Sequence, residues 1–356
     1  MNRVAHQGIW IESDALLTDT LQWPIPLRLL RSIVDGEALN LGAVSPLLGS
    51  NLENLRDIYA AWTHGHNIPL AFELSSEAPV AAGGVSLFFS CGVDSFYSLI
   101  KHRDEIDNLV LVHGFDVPLA HPDTFAKIEA QARDVASLFG KRLIVARTNM
   151  HFEQPEVPGG WEMYCGAGIA AVAYALAPNH GKTYIASSYS YADLFPCGSH
   201  PLLDPLWSTE AVKIVHDGGE NRMDKLRVIV QYPEAMNRLR VCWENPGEYN
   251  CGHCEKCLRT MLGLRALGVE DCAAFPNTLT PELVRRQVLG PLSVMYWREL
   301  LNTGLPPDLH AAVRSAIHSY NTGLPPRSGK VKRTINRWRF AARHAATALI
   351  SPFDRF

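Results

Sequence analysis

The sequence predicts an α/β protein built on a doubly wound parallel sheet. Three observations lead there. From Val85 onward, short apolar runs alternate with helical patterns. One run passes through a tight small-residue loop straight into a helix. Polar residues also end several runs, where strand carboxyl ends bind ligands in such sheets.

The runs are taken in order. Val85-Ser-Leu-Phe-Phe is a short buried strand. Leu109–His113 is a second, Arg142–Ala146 a third and Lys182–Ser187 a fourth. Between them, Asp123–Gly140 reads as an amphipathic helix closed by glycine. Met163–Ala177 is a helix rich in Ala and Gly, suited to close packing on a sheet. Residues 227–232 read as a further helix or strand. The loop after Phe89, His113-Gly-Phe115-Asp116 and Ser187-Ser188 all fall at strand ends and are expected to converge on one site.

The first loop reads Ser90-Cys91-Gly92-Val93-Asp94-Ser95, followed at once by Phe96-Tyr-Ser-Leu-Ile100. A strand entering a helix through small residues cradles phosphate, because free backbone N–H groups and the positive helix end face the anion. The spacing matches neither a Walker loop nor a dinucleotide fingerprint. Asp94 and Ser95 stand where a side chain can cap the helix or reach a metal-bound phosphate.

The second sharp feature is Cys242-x8-Cys251-Gly-His253-Cys254-Glu-Lys-Cys257. Thiolates at these spacings close a tetrahedron around Zn²⁺ and leave no open position, so the metal is expected to be structural. His253 is a rival for one ligand position, and an iron–sulfur cluster is an alternative occupant. The chain has eight cysteines in all, read as reduced.

Residues 1–80 carry no motif. Pro24–Ile33 and Leu52–Trp62 read as helices and Ile68–Leu74 as a strand, forming an α+β extension that covers the sheet or, alternatively, serves a substrate or partner. The other expected divisions are a nucleotide domain at 81–240, the cysteine segment at 241–260 and a helical region at 261–356. In the last, Met261–Leu267, Pro281–Leu289, Tyr296–Leu301 and Asp308–Tyr320 read as helices. Asn-Thr-Gly-Leu-Pro-Pro occurs at 302–307 and again at 321–326, marking two similar helix ends. The basic tail 327–356 is read as a solvated helix packed on its own domain, in preference to a membrane or RNA surface.

Composition narrows the function classes. The 356 residues are 47% hydrophobic and 19% charged, with a net charge of −3, which gives no reason to expect DNA binding. No apolar run approaches the roughly 20 residues of a membrane span. The first residues lack the apolar core of a secretory signal, so the cytoplasm is the expected compartment.

The loop and the cysteines together resemble the PP-loop ATP pyrophosphatases, closest to the 7-cyano-7-deazaguanine synthase-like family. The SGGxDS loop of that superfamily corresponds to Ser90–Ser95. The family's cysteine run ends in Leu-Arg, here Leu258-Arg259, and its Phe-Asp with a later histidine corresponds to Phe115-Asp116 and His121. The similarity spans roughly 85–267. It implies a Rossmann-like adenine-nucleotide fold and an enzyme that splits ATP into AMP and pyrophosphate. It also implies Mg²⁺ with Asp94 as ligand, and Lys225 directed at the phosphates. Nucleotide contacts are expected from Ser90, Cys91, Gly92, Val93, Asp94, Ser95, Phe115, Asp116 and Ser187. His121 is the candidate acid/base, with a surface loop histidine as the other reading.

Two departures stand out. Cys91 replaces the motif's first glycine, and a Cβ there is expected to be tolerated only if φ stays negative or if it does not block the pyrophosphate's approach. The substrate segment reads Tyr191-Ala-Asp193-Leu-Phe-Pro-Cys197-Gly-Ser199-His200, without the family's arginine. A different carboxylate substrate is therefore expected, bound through Asp193, His200 and Asp204 and passed to ammonia or an amine. The expected partners are thus ATP and a small-molecule or peptide carboxylate, with a second copy of the chain left open. A sulfurtransferase using Cys91, Cys165 or Cys197, and a nucleotide-binding protein without turnover, are the alternatives.

Overall fold

The structure is a computed structural model that describes residues 1–18, 20, 22–76, 81–151, 157–244, 248–276 and 279–323. The basic tail and most of the second Asn-Thr-Gly-Leu-Pro-Pro lie outside the described residues. The chain forms two compact units, 1–220 and 221–356.

The first unit runs β1 (Asn2–His6), β2 (Ile9–Ser13), α1 (Ile25–Asp35), β3 (Leu39–Val44), α2 (Pro46–Thr63), β4 (Leu70–Leu74), β5 (Val85–Phe88) and α3 (Val93–Lys101). It continues with β6 (Asn108–His113), α4 (Pro122–Leu138), β7 (Arg142–Thr148), α5 (Trp161–Ala175), β8 (Lys182–Ala186) and β9 (Lys213–Asp217). Seven strands form one sheet in the order β1-β2-β7-β6-β5-β8-β9. Neighbours from β7 to β9 pair in parallel, whereas β1 and β2 pair antiparallel. The expected parallel sheet thus carries an antiparallel edge, built from residues read only as part of an extension. Its two strands join through Gln7-Gly8, both at positive φ (49° and 85°), the backbone that a two-residue hairpin requires.

Strand order fixes where a ligand can sit. The chain moves from β5 outward through β6 to β7, then returns to lay β8 on the other side of β5. The connections leaving β5 and β8 therefore part in opposite directions and open a crevice at the carboxyl ends between them. Alternate residues of β6 and β7 face opposite layers. Val110, Ile144 and Ala146 join the buried side chains of α1, α2 and α5 in one core. Helices α3 and α4 pack on the sheet as well, and their buried residues Phe96, Leu99, Phe125 and Ile128 lie outside that core. Strands β3 and β4 form a separate parallel pair.

Two close approaches position the site. The Gly198 N–H donates to the Glu162 carbonyl (2.9 Å), and a Cβ at Gly166 would fall 1.8 Å from the Gly198 carbonyl oxygen. Glycine at both positions lets the loop after β8 seat on the first turns of α5. On the other side, Asp217 at the end of β9 accepts from Ser98 Oγ (2.7 Å), Lys101 Nζ (2.9 Å) and the His102 ring (2.9 Å). These bonds fasten the helix that follows the Ser90–Ser95 loop.

The second unit contains α6 (Arg222–Ile229), α7 (Pro233–Met236), α8 (Glu255–Ala266), α9 (Pro281–Arg285), α10 (Pro291–Leu300) and α11 (Pro307–Thr322). The segment left open as helix or strand is helical and starts earlier, because Asn221 Oδ1 accepts from the Asp224 N–H (2.9 Å) and caps α6. Trp297 of α10 is wholly buried and donates from Nε1 to Glu255 of α8 (2.7 Å). No helix of the described residues is long and apolar enough to cross a membrane.

Burial alone would raise the Asp217 carboxyl, but its three donors outweigh it and hold the group below the usual carboxylate range. A depressed folded value means stabilisation that is present above the unfolded pKa of about 4 and is lost as pH falls through the folded one. Asp217→Asn is therefore expected to cost about 1–3 kcal/mol at pH 7. In urea unfolding, the gap between wild type and variant should shrink by pH 3.

Candidate functional site

Residues 89–95 turn the chain from β5 into α3 at the edge of the crevice. Cys91 takes φ of 60° and is fully buried. The first of the two conditions for a Cβ here, a negative φ, is therefore not met. The loop holds its left-handed bend at this position although a Cβ is present, and cysteine accepts the strain that glycine would avoid. Gly92 is the residue at the helix cap, so neither Asp94 nor Ser95 caps α3. Instead Ser95 closes the loop from within. Its Oγ accepts from the Ser90 N–H (3.4 Å) and donates to the Gly92 carbonyl (3.1 Å). Val93 is buried as the first helical residue, and Asp94 is half-buried in the first turn. The result is a tight bend followed by a helix start, with a carboxylate on its first turn.

The neighbouring strand ends contribute unequally. Ser187 is buried, gives its N–H to the Asp217 carbonyl (2.6 Å) and its Oγ to the Tyr189 carbonyl (2.7 Å). It joins the ends of β8 and β9. Asp116 is exposed, and Phe115 is half-buried against Trp161 with ring centroids 5.0 Å apart. His151 stacks on the same indole at 4.3 Å. His121 is half-buried at the start of α4.

The loop after β8 separates the three candidate substrate residues. Asp193 is exposed and accepts from Ser190 Oγ (2.5 Å). His200 and Asp204 are buried. The His200 Nδ1 accepts from the Leu202 N–H (3.0 Å), and its ring lies against Trp62. Asp204 Oδ2 accepts from Ser199 Oγ (2.8 Å) and from His216 Nδ1 (2.6 Å). Both side chains thus brace the loop from inside, in a layer that opposes the α3 face. Sequence reasoning missed their partner His216, and with it Asp217, because it placed no strand at 213–217. The alternation of Ile214 with His216 was the available signal.

In the second unit the four cysteines come together. Their sulfur atoms all lie within 4.8 Å of one another, with Cys251–Cys257 and Cys242–Cys254 at 3.9 Å. A Zn–S bond of about 2.3 Å implies sulfur–sulfur edges of about 3.8 Å, so this donor set fits a tetrahedral zinc ion. All four are buried. His253 is exposed and turns its Nδ1 to the Cys251 carbonyl (2.9 Å), which removes it as a rival ligand. Gly252, at φ of 72°, makes the knuckle, and the Cys254 N–H donates to Cys251 Sγ (3.3 Å). The thiol of Cys257 draws Cys254 down to about 5, while burial lifts Cys251 to about 11. Crowded buried thiols favour one thiolate and resist the others until a cation arrives.

Asn250 was not legible as a site residue, yet it organises this centre. Its Oδ1 accepts from the N–H groups of Val241 (2.9 Å) and Cys242 (3.1 Å). Its Nδ2 donates to the carbonyls of Leu239 (2.7 Å) and Ala274 (2.8 Å). One buried amide ties the segment carrying Cys242 to the loop carrying Cys251. Lys225 also belongs to this unit and is buried in α6.

No family model, no curated protein and no solved structure matches the chain. The class defined on the page is an α/β protein with a mostly parallel seven-stranded sheet and a four-cysteine cluster able to hold a metal ion.

Two outcomes are expected. Purified protein should carry about one zinc per chain by elemental analysis, and Cys254→Ser should lose it together with the helical signal of the second unit. At the bend, Cys91→Gly should stay within about 1 kcal/mol of wild type, whereas Cys91→Val should lose about 1–3 kcal/mol in urea unfolding.

Proposed function

We propose that the chain is an ATP-dependent adenylating enzyme of the PP-loop pyrophosphatase type. Its substrate is a small-molecule or peptide carboxylate, activated for attack by ammonia or an amine. The observation that carries this reading is the Ser90–Ser95 loop. It bends through a left-handed residue where the resembling motif has glycine, and it opens a helix at the sheet's switch point.

The chemistry divides into two displacements. A carboxylate oxygen attacks the α-phosphorus of ATP, the bond to the β-phosphate bridging oxygen breaks, and pyrophosphate leaves. The N–H groups of Gly92 to Ser95 receive the departing pyrophosphate charge. Asp94 would hold Mg²⁺, which when bound neutralises charge developing on the phosphates. Phe115, Asp116 and Ser187 border the nucleotide. In the second step nitrogen attacks the acyl carbon, and AMP leaves with the electrons of the broken C–O bond. His121 takes the nitrogen's proton. Asp193, on its exposed loop, meets the substrate, while His200 and Asp204 hold that loop in place. The zinc ion, with four thiolates and no open position, is structural. The missing arginine of the substrate segment points away from a deazaguanine.

The sulfur-relay alternative needs a reactive thiolate. Burial pushes the Cys165 and Cys197 thiols well up, and Cys91 is fully buried. Thiols in that state are poor nucleophiles at neutral pH, which favours the amide-forming reading.

The test is pyrophosphate release measured against a panel of carboxylic acids with ammonium present. Asp94→Ala should lower the rate about a hundredfold or more, and Cys91→Ser should leave it within a few-fold. Unchanged release in the Asp94 variant would sink the proposal, and loss of turnover in Cys91→Ser would turn it toward sulfur transfer.

A further inference from the structure

A recess lies between the β1–β2 turn, α1 and the start of α5. Trp23 and Leu27 form its apolar wall, and its charged and polar groups include His6, Arg28, Arg31 and Tyr164. Among the described residues, no carboxylate lines it. Two of these groups hold a buried atom without a hydrogen-bond partner, the Tyr164 hydroxyl and His6 Nε2. Tyr164 is wholly buried. Folded chains satisfy nearly all buried polar atoms, so two such atoms lining one recess call for an occupant.

The charges say what kind of occupant. Arg28 is held in place by a bond from its guanidinium to the Asn40 carbonyl (2.6 Å), and its charge adds to burial in lowering the proton affinity of His6. Burial keeps the Tyr164 hydroxyl protonated against the pull of Arg31, so the hydroxyl is a donor. Arg31 has no ion-pair partner among the described residues. Two guanidinium groups, a hydroxyl and an imidazole, with no acid among the described lining residues, match an oxyanion.

We propose that this recess binds a small oxyanion group, phosphate or carboxylate, through Arg28, Arg31, the Tyr164 hydroxyl and His6 Nε2–H. The hairpin turn reaches the carboxyl end of β7, since the Trp10 N–H donates to Asn149 Oδ1 (2.9 Å). The oxyanion therefore sits on the carboxyl-end side of the parallel strands, as the Ser90–Ser95 loop does, and no loop residue takes part. The assignment is independent of the adenylation chemistry.

The experiment follows the His6 ring protons of the full chain by NMR during titration with sodium phosphate or sodium acetate, at ionic strength matched with chloride. Saturable shifts are expected, accompanied by a rise in the His6 pKa as the bound anion stabilises the imidazolium. Preference between the two salts distinguishes a phosphoryl from a carboxyl ligand. Arg31→Gln, an exposed change, and Tyr164→Phe, which removes an unpartnered hydroxyl, should each weaken the apparent affinity at least tenfold. Arg103→Ala, an exposed arginine elsewhere, should leave it unchanged. The signal is local to His6, so phosphate taken up at the Ser90–Ser95 loop does not register. Absence of saturable shifts with either anion, or shifts undiminished in both Arg31→Gln and Tyr164→Phe, overturns the proposal.

Discussion

A strand that must become a helix within four residues sets the constraint on which the first unit depends. The chain leaves β5 extended at Phe88 and has to begin α3 at Val93. One residue between them must therefore adopt a left-handed backbone, and that residue is Cys91. The rest of the crevice is arranged around this bend. Ser95 stitches it from inside, α3 is fastened to the neighbouring strands, and the return of the chain to β8 opens the gap beside it. A cysteine at the bend means that the geometry is imposed by its surroundings, because the residue's own preference opposes it.

Legibility in the sequence followed the range of the interactions. The strands of the parallel core read clearly, because residues such as Leu109-Val-Leu-Val are buried on both faces and form continuous apolar runs. The cysteine cluster was legible for a different reason: metal ligands are few residue types at restricted spacings. The edge strands were not legible. Asn2–His6 and Lys213–Asp217 mix polar and apolar residues, since one side of each strand meets only a single neighbour or a charge network. His200 and Asp204 looked like loop residues available to a ligand. Their burial comes from Trp62 and His216, distant in sequence, and nothing local in the Pro-rich loop announces it.

The two units illustrate two ways to hold a reactive or binding group in place. Around the loop, positions are fixed by packing and by hydrogen bonds between separate elements. Around the cysteines, one amide side chain and one turn glycine gather ligands that lie close in sequence. The first arrangement depends on the whole sheet. The second depends on residues within one short stretch of chain, whose sulfur atoms are already close enough to hold a metal ion.

The bond from Ser98 to Asp217 joins residues 119 positions apart. That separation has a temporal side. A ribosome adding about 5–20 residues per second makes Asp217 on the order of 10 s after Ser98. The Ser90–Ser95 bend therefore emerges early and waits, with its helix unanchored, until the last strand of the sheet arrives. Of the whole first unit, the Ser90–Ser95 loop is made near the middle and is among the last pieces to be set.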